Sequence, residues 1–138
     1  MSARTKARKR ALDVLYGADI RQIPLNQALA TEAERAANEP QREASWMYAR
    51  EIVDGVVDNG DEIDEQIETY AQGWTLARMP VVDRAILRIG VWEVLFNDQV
   101  PDGVAISEAV EAATVLSTDD SAGFINGLLA KISQNKSH

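Results

Sequence analysis

The run PVVDRAILRIGVWEVLF, Pro80–Phe96, decides the fold. On a helical wheel Val82, Ala85, Ile86, Ile89 and Glu93 share one face, while Leu87, Val91, Val94 and Leu95 occupy the others. A segment apolar nearly all round is a helix surrounded by its neighbours, so this spacing predicts the central element of the core. Pro80 suits the first turn, and the helix ends before Pro101.

Working outward, every flanking segment repeats helical spacing, and strand alternation is nowhere sustained. Toward the N-terminus, a first helix carries Leu12, Leu15, Tyr16 and Ile20 and stops before Pro24. A second starts near Asn26 as N-cap, carries Leu29, Ala33 and Ala36, and ends at Pro40. The third sets Trp46, Ala49, Val53 and Val56 on one stripe beside Tyr48 and Ile52. Asn59 with Glu62 reads as a capping box for a fourth, carrying Ile63, Ile67, Tyr70 and Ala71 as far as Gly73. Beyond the central run, a sixth helix carries Ile106, Ala109, Val110, Ala113 and Leu116. A seventh follows an Asp119-Asp120-Ser121 cap with Phe124, Ile125, Leu128, Leu129 and Ile132. All four prolines fall at joints, which supports the division because proline inside a helix costs about 3 kcal/mol. The expected class is all-α, with about seven short helices.

At 138 residues one core suffices, and zero cysteines leave no disulfide, thiolate chemistry or Cys-based metal site. Charge is divided unevenly. The whole carries a formal net charge of -8, yet Arg4, Lys6, Arg8, Lys9 and Arg10 crowd the first ten residues, which hold no acid. The remainder sets nine cations against twenty-two acids. An acidic body repels nucleic acid, so a basic head on it points to one localised anion site. No apolar run is long enough to span a bilayer and no signal peptide follows the basic residues, which predicts a cytoplasmic protein.

Cations in the first turns of a helix oppose its macrodipole, so stability alone would not place them there. On the wheel Arg4 and Arg8 share a side with Leu15, Lys9 lies about 100° beyond Arg8, and Lys6 with Arg10 lies further round. Such a head suits an arm tracking phosphates, or else a solvated terminus with a chance cluster. In the seventh helix, Gly123 and Gly127 four apart would admit another backbone; Phe124 is either core or, if exposed, a surface for stacking bases. The acids Asp61, Glu62, Asp64, Glu65 and Glu68 read as a solvated helical face rather than a metal loop. The only histidine is His138 and no Gly-rich phosphate loop occurs, so catalysis is not expected, and no cofactor is implied.

Several stretches together resemble the NusB family of transcription antitermination factors. They are Ala3 to Leu12 with Leu15-Tyr16, Val82 to Ile89 with Trp92-Glu93, Val100-Pro101, Val104 to Val110, and Asp120-Ser121 with Phe124 to Leu129. The resemblance implies one RNA-binding domain over 1–138: a basic arm and helix over 1–21, a helical subdomain to about 73, and a second over 80–134. It implies a factor binding the boxA segment of nascent ribosomal RNA transcripts, in the transcription elongation complex, beside the ribosomal protein NusE. By that likeness Arg4, Lys6, Arg8, Lys9 and Arg10 meet RNA, helped by Tyr16, Asp120 and Phe124, while Asp83 belongs to the partner surface. Thr5 stands where the family commonly has arginine, Lys9-Arg10 replaces an acidic and a small residue, and Asp13 replaces a frequent glutamine.

About four phosphate contacts on a single strand predict a salt slope of roughly -3, a modest grip that a second protein would reinforce. The alternative is a non-catalytic helical adaptor whose basic arm docks an acidic partner. Self-association is compatible with the pattern, which does not divide the apolar residues between core and interface. A methyltransferase built on the same RNA-binding fold would need a βαβ cofactor pattern, and none is present.

Overall fold

A computed structural model describes residues 2–136, leaving aside the side chain of Arg42. His138 therefore lies outside the described residues. The described chain is all-α, with helices α1 (Ala3–Arg21), α2 (Leu25–Ala37), α3 (Glu43–Asp58), α4 (Gly60–Tyr70), α5 (Val81–Phe96), α6 (Asp102–Leu116) and α7 (Asp119–Asn135). Short 3-10 turns, Pro40–Arg42 and Leu76–Arg78, precede α3 and α5.

The central run behaves as its composition requires. Ten of its residues are buried, from Asp83 to Val94, and α5 packs against α1, α3, α4, α6 and α7. A single hydrophobic cluster results, reaching from Ala7 in α1 to Ile132 in α7. Three helix starts differ from the sequence expectation in detail. Pro24, Pro80 and Pro101 are N-caps of α2, α5 and α6, one position earlier than a first-turn proline and, for α2, ahead of Asn26. With φ fixed near -60° and extended ψ, proline sets the entry to a helix without needing a side-chain cap.

Two expected caps are replaced. Asn59 makes no capping bond; its Nδ2 donates backward to the Gly55 carbonyl at 2.9 Å, because α4 follows α3 with almost no connection. The cap of α7 is Thr118, whose hydroxyl accepts from the Ser121 amide at 3.1 Å, and Asp119 and Asp120 sit in the first turn, where the macrodipole favours acids.

The glycines that matter for packing are also different ones. A Cβ on Gly123 or Gly127 would meet nothing within 4 Å, so no backbone approaches them. A Cβ on Gly55 would instead collide with the indole of Trp92, and one on Gly90 would lie 2.8 Å from Leu129 Cδ1. Gly55 is what lets the buried Trp92 of α5 lie against α3. Gly55→Ala should destabilise the fold by about 1–3 kcal/mol, the usual cost of overpacking. Gly127→Ala, in open space within a helix, should leave stability unchanged or raise it by up to about 1 kcal/mol. Thermal melts of the two variants check both.

Candidate nucleic-acid interface

The basic head is helical from its start. Ser2 caps α1, its hydroxyl accepting from the Thr5 amide at 3.1 Å, and Thr5 Oγ1 donates to Glu108 Oε1 of α6 at 2.7 Å. The head is therefore docked on the body, and its cations point in different directions.

Arg8 points inward and is only 8% exposed. Its Nε donates to both carboxylate oxygens of Glu93, at 2.9 and 3.0 Å, and its Nη1 lies 3.2 Å from Glu108 Oε1. Glu93, 1% exposed, also accepts from the Tyr48 hydroxyl at 2.5 Å, and that hydroxyl accepts from Asn97 Nδ2 at 3.0 Å. Burial by itself lowers the Arg8 pKa, but the hydrogen bond and charge of Glu93, with help from Tyr48 and Glu108, outweigh it and raise it above the ordinary value. Burial, then the hydrogen bond and charge of Glu93, push the Tyr48 phenol well above the ordinary tyrosine range, against smaller opposition from Arg8 and Asn97.

Arg8 thus differs from the other cations of the head in facing the interior. Two carboxylates hold its guanidinium in the interior, Glu93 at Nε and Glu108 at Nη1. The wheel carried the signal, since Arg8 shares a side with Leu15, which is buried. Glu93 and Tyr48 are functional polar centres that the helical pattern does not single out; the signal is Glu93 itself, an acid within the otherwise apolar stretch Ile89–Phe96, which calls for a buried partner.

The remaining cations divide. Arg4 is exposed, with its guanidinium carbon 5.1 Å from the Tyr48 ring centre, on the α3 side. Arg10 turns toward α2 and α3, its Nε donating to Ser45 Oγ at 2.8 Å and its Nη1 3.7 Å from Glu32. Lys6 is exposed, with no ion pair among the described residues, and Lys9 Nζ meets Asp13 Oδ1 at 2.6 Å in a pair open to solvent.

Lys6, Lys9, Asp13, Tyr16 and Ile20 recur at steps of three and four, and all five are exposed. They form one solvent-facing stripe along α1. Tyr16 is 42% exposed and, with Lys9, Asp13 and Ile20, lines a groove closed on its other side by Pro80, Val81, Val82 and Leu116. Leu116, expected in the core, is exposed because it forms that rim. A second, apolar groove runs beside it between α1 and α6, floored by Ile86, Ile89 and Gly90 of α5.

The first turn of α7 is held to the start of α5. Ser121 Oγ donates to Asp83 Oδ2 at 2.6 Å, and Asp83 is 3% exposed with its other oxygen buried and unpartnered among the described residues. Asp83 is therefore buried and tied to the first turn of α7. Asp120 is exposed, while Phe124 is half-buried and packed on the core.

The model of the NusB family matches residues 5–134. A transcription antitermination protein NusB of Leifsonia xyli subsp. xyli is 88% identical over 136 residues, covering 99% of this chain and 94% of its own. One of Clavibacter sepedonicus is 70% identical, with 96% of each chain covered. Among solved structures, NusB of T. maritima superposes with a TM-score of 0.86 at 31% identity, covering 98% of this chain and 93% of that one. A complex of antitermination factors NusB and NusE with double-stranded RNA gives 0.84 at 29% identity, with 99% of each chain covered.

Removing Glu93 leaves Arg8 buried with only Glu108 at its Nη1 and its Nε unpaired, so Glu93→Ala should destabilise by about 3 kcal/mol in denaturant unfolding. The phenol pKa of Tyr48 is raised by folding, so its contribution is complete below about pH 10 and is lost as pH climbs past that. Tyr48→Phe should abolish this part of the alkaline fall in stability, read from thermal midpoints across about pH 9 to 11.

Proposed function

The chain belongs to the NusB family, and we propose that it acts as a transcription antitermination factor, holding boxA-type RNA of nascent ribosomal transcripts together with the ribosomal protein NusE. The observation that carries this reading is the α1 stripe, where Lys6 and Lys9 stand in line with the exposed ring of Tyr16. Lysines neutralise phosphates, and an aromatic beside them stacks a base; both work without any reactive group, so the role is that of a binding factor rather than an enzyme. It works in the cytoplasm, on transcripts still attached to the elongation complex.

Within this reading Arg4, Lys6 and Lys9 meet the backbone, Tyr16 meets a base, and Asp120 and Phe124 border the site. Arg8 serves from inside by fixing the helix that presents the others, and Arg10 does so toward α2 and α3. Three phosphate contacts on a single strand correspond to a salt slope of roughly -2. That is a weak grip, and the acidic body adds repulsion. NusE, docked on the apolar surface beside α1 where Val115 and Leu116 are open, would make the two proteins one bivalent platform. The domain division follows the same reading: the arm over 1–21 and two helical subdomains, to about 73 and over 80–134.

Lys6→Ala combined with Lys9→Ala should weaken binding of boxA-type RNA and reduce the salt slope by roughly 1.4, with circular dichroism unchanged. Asp13→Asn should strengthen it, because a carboxylate 2.6 Å from Lys9 competes with phosphate for that cation. Titrations at two salt concentrations, with boxA-type and scrambled RNA and with and without NusE, test both. Unchanged affinity in the double lysine variant would contradict the RNA reading and favour a protein-docking adaptor.

A further inference from the structure

The exposed stripe of α1 does not end at Ile20. Pro80 and Val81 form the opposite wall of the groove lined by Tyr16 and Ile20. Two residues before Pro80 stands Arg78, whose guanidinium carbon lies 5.9 Å from the ring centre of Trp74. Two residues of chain reach at most about 7 Å, so the backbone that carries Arg78 lies beside the Pro80 wall of the groove. Arg84 fastens the same two regions together. Its Nε donates to Asp19 Oδ2 in the last turns of α1 at 3.0 Å, and its Nη1 donates to the Leu76 carbonyl, between Trp74 and Arg78, at 3.1 Å.

Trp74 is 54% exposed, in a connection whose core contribution comes from Leu76 and Met79. Gln72 and Gly73, both at positive φ, turn the chain into it from α4. A tryptophan left in water without a packing role is a feature to be explained by what covers it. Its sequence neighbours Gln72, Gly73, Thr75 and Ala77 are exposed and polar or small, which suits a flat ring better than an apolar protein surface. Charge agrees. Asp19 is paired with Arg84, Asp64 with Arg88, and the Glu68 carboxylate accepts the Leu76 amide, while Arg78 has no ion pair among the described residues.

We propose that Trp74 and Arg78 form a second stacking site for single-stranded RNA, taking a base beyond the segment held along α1; this rests on the RNA reading above. The indole stacks the base, and Arg78 closes over it or turns to the adjoining phosphate. Every base has a π-face, so the site tolerates sequence and extends the length of strand held rather than choosing its letters.

The test uses the full chain and boxA-type single-stranded RNA, intact and as a series with one nucleotide at a time made abasic. Trp74→Ala should weaken binding of the intact strand about tenfold, with Trp74→Phe retaining most of the affinity and neither changing the thermal midpoint. One abasic position should cost the wild type that factor and cost Trp74→Ala nothing, and binding of a duplex should not respond to Trp74 at all. The proposal is overturned if Trp74→Ala binds every RNA as the wild type does, or if each abasic position costs both proteins equally. Retained RNA affinity with loss of NusE would overturn it too, assigning the ring to a protein surface. The double lysine variant run in parallel separates the two levels. If it also leaves RNA affinity unchanged, the RNA reading fails as a whole; if it loses affinity while Trp74→Ala does not, only the second site fails.

Discussion

An ion pair in the interior, Arg8 with Glu93, fixes the rotation of α1 about its own axis. Burying two charges is costly, and this pair is kept only because its hydrogen bonds are nearly complete: Nε across both carboxylate oxygens, Glu108 on the guanidinium, and the Tyr48 hydroxyl on the carboxylate. With Arg8 turned in, the helix period leaves Lys6, Lys9, Asp13, Tyr16 and Ile20 no choice but to face solvent. The exposed stripe of α1 is therefore a consequence of a contact made in the interior. Thr5, bonded to the same Glu108, holds the opening turn to α6, so the cations of the head stand on a docked helix; in the proposed role this would spare ordering entropy on binding.

The same packing explains where the partner surface can lie. Because α1 and α6 both rest on α5, the space between them stays open as apolar grooves, and Leu116 and Val115 remain exposed at their edge. Asp83 and Ser121 lock the start of α7 to the start of α5, bringing the Asp120 turn to the same end of the molecule as those grooves. An otherwise acidic surface disfavours a polyanion elsewhere, which in the proposed role leaves the α1 side to RNA and the apolar flank to protein docking.

Fold and site were unequally legible in the sequence. Helix count, the central position of Pro80–Phe96 and the joints at prolines follow from local periodicity, which a chain rich in short-range contacts preserves. Choices made between helices do not show. Gly55 and Gly90 are tight, and Gly123 and Gly127 open, because of Trp92 and Leu129 on other elements. Asn59 bonds backward since α3 and α4 nearly abut, and Asp83 is buried because Ser121 reaches it from thirty-eight residues away. The basic head was legible as a charge cluster, but which of its members faces inward depends on Glu93. Reading Arg8 together with Leu15 and with Glu93, an acid amid the apolar second half of α5, points to the pair.

Nuclear magnetic resonance of the arginine Nε–H and lysine Nζ groups during titration with boxA-type RNA addresses the central claim most directly. The account predicts that the Arg8 Nε–H signal keeps its position and its protection from exchange throughout, while the Lys6 and Lys9 amines and the Tyr16 ring shift in proportion to bound RNA. Movement of the Arg8 signal with RNA, alongside silent Lys6 and Lys9, would contradict it.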